Sequence, residues 1–190
     1  MLSARSVTVG HGRTVLFTGF DLDVRPGEIV GLVGPSGCGK TSLARVLAGL
    51  AEPLSGQVLR DGPVTMLFQS ARRAMDPRLT LRRSIEVCAD GEVGWESLCA
   101  RADLPISLLD RFPRQVSDGQ LQRAAIARAL VGEPRYLLCD EMTASLDPAT
   151  TAAVAATLRR AADDGAGVLF ISHDLHLVDA IASTRKVLTP

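Results

Sequence analysis

Apolar residues change period several times along this 190-residue chain, and each change predicts an element. Phe20, Leu22 and Val24 alternate with Asp21, Asp23 and Arg25, so residues 15–24 read as a strand with one covered face. Ser6–Val9 reads as a strand too, Arg25-Pro26-Gly27 as a turn, and Glu28–Val33 as the short apolar run of a buried strand. The period then lengthens. Leu43, Val46, Leu47 and Leu50 fall on one helical face, predicting a helix over 40–50 that Gly49 and Pro53 bring to an end. Gln57–Leu59 and Val64–Phe68 return to strand character.

From Gln69 to Leu109 the chain reads as short, arginine-rich helical pieces broken by Pro77, Gly91, Gly94 and Pro105. Ser117 then caps a helix to Val131, with Leu121, Ala125, Ile126, Ala129 and Leu130 on its buried side. Strand Tyr136–Asp140, helix Pro148–Ala162, strand Val168–Ile171 and helix Asp174–Ala182 complete a β/α alternation. That order predicts an α/β fold with a parallel sheet. The expected organisation is one domain over 1–190, its core at 1–69 and 111–190, with an inserted helical subdomain over 70–131.

Composition narrows the functional classes. The formal net charge is zero, which removes a global electrostatic case for nucleic-acid binding. Lys40 and Lys186 are the only lysines, so basic charge is carried almost wholly by arginine. Cys38, Cys88, Cys99 and Cys139 have no C-x-x-C spacing and read as isolated reduced thiols. Cys38 lies inside a candidate site, where alkylation is expected to cost activity. No run reaches the roughly 18 apolar residues of a membrane span, and no signal-peptide pattern is evident. The expectation is a soluble protein that serves any membrane process by docking.

Two segments carry chemistry on residue grounds alone. Gly34, Pro35, Ser36, Gly37, Cys38, Gly39, Lys40 and Thr41 spell G-x-x-x-x-G-K-S/T. The run follows a buried strand and opens an amphipathic helix. Its glycines let backbone N–H groups face an anion, Lys40 reaches the β- and γ-phosphates, and the Thr41 hydroxyl suits Mg2+. Leu137-Leu138-Cys139-Asp140-Glu141 ends a strand in paired acids. Asp140 suits the magnesium of MgATP, and Glu141 suits a general base toward water.

Taken with Ser117-Asp118-Gly119-Gln120 and His173, these segments fall in an order that resembles the nucleotide-binding subunit of an ABC transporter, over essentially the whole chain. The resemblance implies a P-loop ABC ATPase with a parallel-sheet core, an antiparallel β portion and the inserted helical subdomain. It implies ATP and Mg2+ as cofactors, with Ser42 extending the phosphate loop, Gln69 as the Q-loop magnesium contact, Asp147 as the D-loop residue, and His173 as the switch histidine at the γ-phosphate. Ser117, Gly119 and Gln120 stand in the signature that caps the ATP of an opposite subunit. The stretch from Gln69 to Asp76-Pro77-Arg78 resembles the oligopeptide, dipeptide and nickel importer branch. Partners implied are a second ABC ATPase subunit, transmembrane permease subunits and an extracytoplasmic binding protein, with the chain peripheral at the cytoplasmic face of the cell membrane.

The chain also departs from the family pattern. Asp118 replaces the first signature glycine, and a carboxylate facing a triphosphate weakens capping unless it points away or meets a cation. That departure predicts a preference for a heterodimer whose other subunit carries an unaltered signature. The aromatic that stacks on adenine is missing; His11 is either its substitute or a turn residue. Arg72, Arg73, Arg78, Arg82 and Arg83 are either a docking face or a solvated charge run. Two rival functions stand beside the transport motor: a soluble ABC ATPase of DNA repair or translation, and a regulatory subunit that binds ATP with little turnover.

Overall fold

The computed structural model describes residues 1–12, 14–144 and 146–189, with His11 described by its backbone alone. Strands β1 (Leu2–His11), β2 (Thr14–Val24) and β4 (Ser55–Leu59) form an antiparallel sheet in the order β2-β1-β4. Strands β3 (Ile29–Val33), β5 (Val64–Leu67), β6 (Tyr136–Asp140), β7 (Gly167–Ile171) and β8 (Thr184–Val187) form a second sheet in the order β5-β6-β7-β3-β8. Every pairing in that second sheet is parallel. Helix α1 (Lys40–Leu47) follows β3, α6 (Pro148–Asp163) follows β6, and α7 (Leu175–Ile181) follows β7. Between β5 and β6 lie the short helices α2 (Ala71–Ala74), α3 (Leu81–Glu86) and α4 (Trp95–Arg101), two single 3-10 turns, and the longer α5 (Asp118–Leu130).

The three middle strands explain why apolar runs rather than alternation marked them. Every residue of β3, β6 and β7 is buried. Successive residues feed opposite layers: Leu137, Cys139, Val168 and Phe170 enter one apolar cluster, while Tyr136, Leu138, Leu169 and Ile171 enter the other. A sheet covered on both faces needs apolar residues at every position. Each fully buried Leu, Ile or Phe contributes about 1.5–3 kcal/mol relative to exposure, so this double layer dominates stability.

Most boundaries fall within about two residues of the sequence expectation; β1 and α1 depart further and β8 was not expected, each for a local reason. Strand β1 is longer than Ser6–Val9 because register shifts after Ala4, Val7 and Val9 break its alternation, with Ser6 at φ 48°. Helix α1 stops at Leu47, Ala48 caps it and the chain turns at Gly49, so Leu50 is 61% exposed instead of lying on the buried face. Strand β8 carries no periodic signal: all four of its residues are exposed, and it sits at the sheet edge beside β3. Arg185 and Lys186 on it are charges of the kind that protect an open edge.

Gly31, central in β3, admits helix α7 against the sheet. A Cβ there would lie 2.3 Å from Val178 Cγ1 and 3.2 Å from Ala182 Cβ. Gly31→Ala is therefore expected to destabilise the chain by about 1–3 kcal/mol through overpacking. Thermal unfolding checks this, with a Tm loss of roughly 2–4 °C per kcal/mol for a chain of this size. An unchanged Tm would mean that α7 does not bear on β3.

Candidate nucleotide site

Strand register assembles the site. Asp140 on β6 lies opposite Ile171 on β7, which lies opposite Leu32 on β3, so three parallel strands end in one row. One step further, the Glu141 N–H donates to the Ile171 carbonyl at 3.0 Å and the Ser172 N–H to the Leu32 carbonyl at 3.3 Å. The phosphate loop, the Asp140-Glu141 pair and His173 thereby emerge side by side at the carboxyl edge of the sheet. That edge is where open α/β sheets bind ligands.

The loop closes on itself through the Cys38 N–H, which donates to the Pro35 carbonyl at 3.3 Å, and Gly39 turns it into α1 at φ 105°. No side chain caps α1 and no acidic residue stands in its first turn, so its leading N–H groups and positive end stay available to an anion. Gly34 is held by close approach: a Cβ would lie 2.4 Å from the Leu188 carbonyl oxygen and 2.9 Å from Cys38 Sγ. Lys40 is 6% exposed and its Nζ donates to the Gly34 and Pro35 carbonyls at 2.9 and 3.0 Å. Cys38 is itself only 3% exposed, so its thiol is shielded in the folded loop.

Glu141 stands between two nitrogens. Its Oε1 is 3.8 Å from Lys40 Nζ and its Oε2 is 3.8 Å from His173 Nδ1. These separations are too long for hydrogen bonds, so the carboxylate is flanked rather than tied. Glu141 also holds φ 49°, an uncommon backbone for a non-glycine residue, at the turn that leaves β6. His173 is largely exposed, and its turn is fixed by the buried Ser172, whose Oγ accepts from the Asp174 N–H at 3.1 Å.

Asp140 is the most constrained acid. It is 5% exposed and its Oδ1 is buried without a hydrogen-bond partner. Burial pushes its pKa up and the Glu141 charge adds to this, while the Thr41 hydroxyl, Arg45 and Lys40 pull it down. A buried orphan carboxylate oxygen beside a hydroxyl matches the oxygen donors a hard divalent cation takes. Among the described residues no group of three or more His, Cys, Asp or Glu could hold a metal by itself. Mg2+ is commonly bound by one or two carboxylates plus substrate phosphates, so this donor set fits it.

The remaining candidates gather elsewhere. Ser117 and Gln120 form a reciprocal capping box at the start of α5: Ser117 Oγ accepts from the Gln120 N–H at 3.2 Å, and Gln120 Oε1 from the Ser117 N–H at 3.0 Å. Gly119 meets α6, where a Cβ would lie 2.6 Å from Thr150 Cγ2. Asp147 caps α6 by accepting from the Thr150 N–H at 3.0 Å and the Thr150 hydroxyl at 2.5 Å, which hold its carboxyl below the usual range. Gln69 is exposed and lines a cleft of about 440 Å³ with Arg72, Asp118, Gln122 and Leu146. No hydrogen bond or ion pair among the described residues joins Ser117–Gln120 to the phosphate loop. The His11 side chain, expected at adenine or in a turn, lies outside the described residues. Ser36, Gly37 and Ser42 stay with the phosphate loop and the first turn of α1.

Sequence reasoning missed three contributors. Leu188, the residue just after the unforeseen edge strand, walls the phosphate loop, and Thr150 bridges Gly119 and Asp147. Arg72 bonds Asp118 through Nε and Nη2 at 3.0 and 2.5 Å. Asp147 before Pro148 was a readable N-cap signal that would have led to Thr150; the other two depend on tertiary contact. The arginine run is largely paired internally, with Arg78 on Asp76, Arg82 on Asp110 and Arg83 on Glu86.

The family model described as ABC transporter matches residues 17–144 of the chain. The chain belongs to the ABC transporter family. It is 34% identical to the nickel import ATP-binding protein NikE of Escherichia coli K12, over 94% of this chain and 76% of that protein. It is 38% identical to the aliphatic sulfonates import ATP-binding protein SsuB 3 of Paraburkholderia xenovorans, over 97% and 77%. Its structure is similar to the dimeric post-hydrolysis state of the ATP-binding cassette MJ0796 bound to ADP and Pi, with TM-score 0.84 and 25% identity over 100% of this chain and 94% of that one. This ABC cassette is an ATPase with the α/β cassette fold. Among the described residues no helix is long and apolar enough to cross a membrane.

Because burial raises the folded-state pKa of Asp140, the native cassette holds that proton more tightly than the unfolded chain. The group's contribution to stability therefore falls as pH rises from the unfolded pKa through the folded one. In nucleotide-free protein treated with a chelator, Asp140→Asn is expected to raise Tm at neutral pH, with the gain shrinking toward acid. The orphan carboxylate sets the scale at about 1–3 kcal/mol. Calorimetry across pH checks this, and a variant less stable at every pH would contradict it.

Proposed function

We propose that this cassette is the motor subunit of an ABC importer, binding and hydrolysing MgATP at a composite interface between two cassettes. The observation that carries this is Glu141 held between Lys40 and His173 beside the orphan oxygen of Asp140. Lys40 would exchange the Gly34 and Pro35 carbonyls for β- and γ-phosphate oxygens, a swap of one set of acceptors for a more strongly charged one. Glu141 would take the proton of the attacking water as general base, and His173 would contact the γ-phosphate and orient that water. Asp140, Thr41 and Gln69 would hold Mg2+, which neutralises charge on the phosphates when bound.

In this reading residues 70–131 act as the helical subdomain and 1–69 with 111–190 as the core. Ser117, Gly119 and Gln120 cap the ATP of a second cassette, with Asp147 at the interface. Gln69 marks the joint through which closure reaches permease subunits at the cytoplasmic face of the membrane, with an extracytoplasmic binding protein delivering cargo. The two named relatives differ in cargo, and import is what they share. The stretch from Gln69 to Arg78, with its Asp76-Pro77-Arg78, favours nickel or peptides over sulfonates. A heterodimer would place one ATP under a signature free of aspartate, a preference that lasts only as far as Asp118 stays uncompensated.

Two substitutions test the assigned roles. Lys40→Ala is expected to weaken ATP binding by about 30-fold or more, the scale of one lost charge-assisted hydrogen bond near 2 kcal/mol. Glu141→Gln is expected to retain ATP binding while turnover falls by about 100-fold or more, within the range of general-base catalysis. Nucleotide binding and single-turnover hydrolysis on the purified chain separate the two effects. Wild-type turnover by Glu141→Gln would remove Glu141 from the chemistry.

A further inference from the structure

We propose that Arg72 is a positioning residue that neutralises Asp118 and so keeps the altered signature able to cap the ATP of a second cassette. Asp118 is the first residue of α5, in the turn whose N–H groups would face that nucleotide. Left alone, its carboxylate would set a negative charge against a triphosphate. Arg72, 46 residues earlier, answers it with two hydrogen bonds to one oxygen, Nε–Oδ1 at 3.0 Å and Nη2–Oδ1 at 2.5 Å. Its Nη1 also donates to the Pro113 carbonyl at 3.3 Å, so three donors hold the guanidinium in place. Lysine, a point charge, could not match this fork.

The pair adds little to fold stability. Both side chains are open to solvent, at 49% and 68%, and exposed ion pairs are worth about 0–1 kcal/mol. Its consequence is where charge sits. With Arg72 in place the leading turn of α5 carries no net side-chain charge, close to the state a glycine at 118 would give. The contact also joins the segment after Gln69 to the start of α5 across the cleft that both line. A residue beyond the Q-loop thus sets the electrostatics of the signature. An aspartate at 118 then does not exclude a symmetric dimer.

This inference rests on the head-to-tail reading above, and one experiment separates the two. ATP-dependent association of the purified Glu141→Gln chain is followed by light scattering on a sizing column, with ATP binding measured in parallel. Glu141→Gln is expected to associate. Adding Arg72→Gln should raise the ATP concentration for half-association by about tenfold or more, the scale of an uncompensated like charge at an interface. Adding Asp118→Gly to that variant should restore association, which a structural or docking role for Arg72 would not produce. An Arg72→Gln chain that associates normally, or a defect that Asp118→Gly does not restore, overturns the inference. If Glu141→Gln associates only once Asp118→Gly is added, the inference falls and the head-to-tail reading stands. If both chains bind ATP and neither associates, the head-to-tail reading falls and the inference with it.

Discussion

The parallel register of β6, β7 and β3 is the constraint on which the rest depends. Asp140, Ile171 and Leu32 occupy one row, and the Glu141 and Ser172 amides extend the ladder one residue beyond it. A shift of one residue in either pairing would move an acid or the histidine by a strand step of about 3.3 Å and reverse which layer every side chain enters. The apolar load on both faces forbids that shift, because each middle strand feeds two clusters at once. Core packing and site geometry are therefore one specification. The sequence elements that carry chemistry are short because the sheet does the aligning.

The site keeps charges close without joining them. Lys40 is bonded to loop carbonyls, Glu141 is flanked at 3.8 Å on both sides, and Asp140 has a buried oxygen with no donor. Each arrangement is less favourable than a direct ion pair would be. Groups that satisfied one another fully would have to break those bonds before meeting phosphate or cation. Groups left partly unsatisfied would gain on the entry of a phosphate and its cation, so that folding stability would give way to ligand affinity. The left-handed backbone at Glu141 belongs to the same bargain, since it turns the chain out of β6 beside the loop.

Much of this was legible in the chain itself, and the pattern of failure is physical. Strand β6 was read to the residue, and α5 with its Ser117 cap within one, because full burial and capping leave strong local signals. The candidate residues could be picked out because chemistry restricts which residue types can serve phosphate and cation. Strand β8 was not, since an exposed edge strand has no apolar face to announce it. Leu50 misled because helical spacing persisted after the chain had turned away. Contacts across long separations, Leu188 on the phosphate loop and Arg72 on Asp118, leave no local trace at all.

Asp118 shows what that blindness costs. Judged along the chain, an acid in a phosphate-capping turn is a defect, and a defect in one cassette calls for a sound one in its partner. Judged in space, the same acid has an arginine fork on it, and as the first residue of α5 it also suits the positive end of that helix. The acid at 118 and the arginine at 72 together leave the charge that the turn would have without either. Their contact crosses the cleft that Gln69, Arg72 and Asp118 line together. Both partners are open to solvent, so added salt screens the pair, while the bond from Arg72 Nη1 to the Pro113 carbonyl ties the guanidinium to the backbone. The pair therefore bears on where charge sits at the start of α5 more than on the stability of the fold.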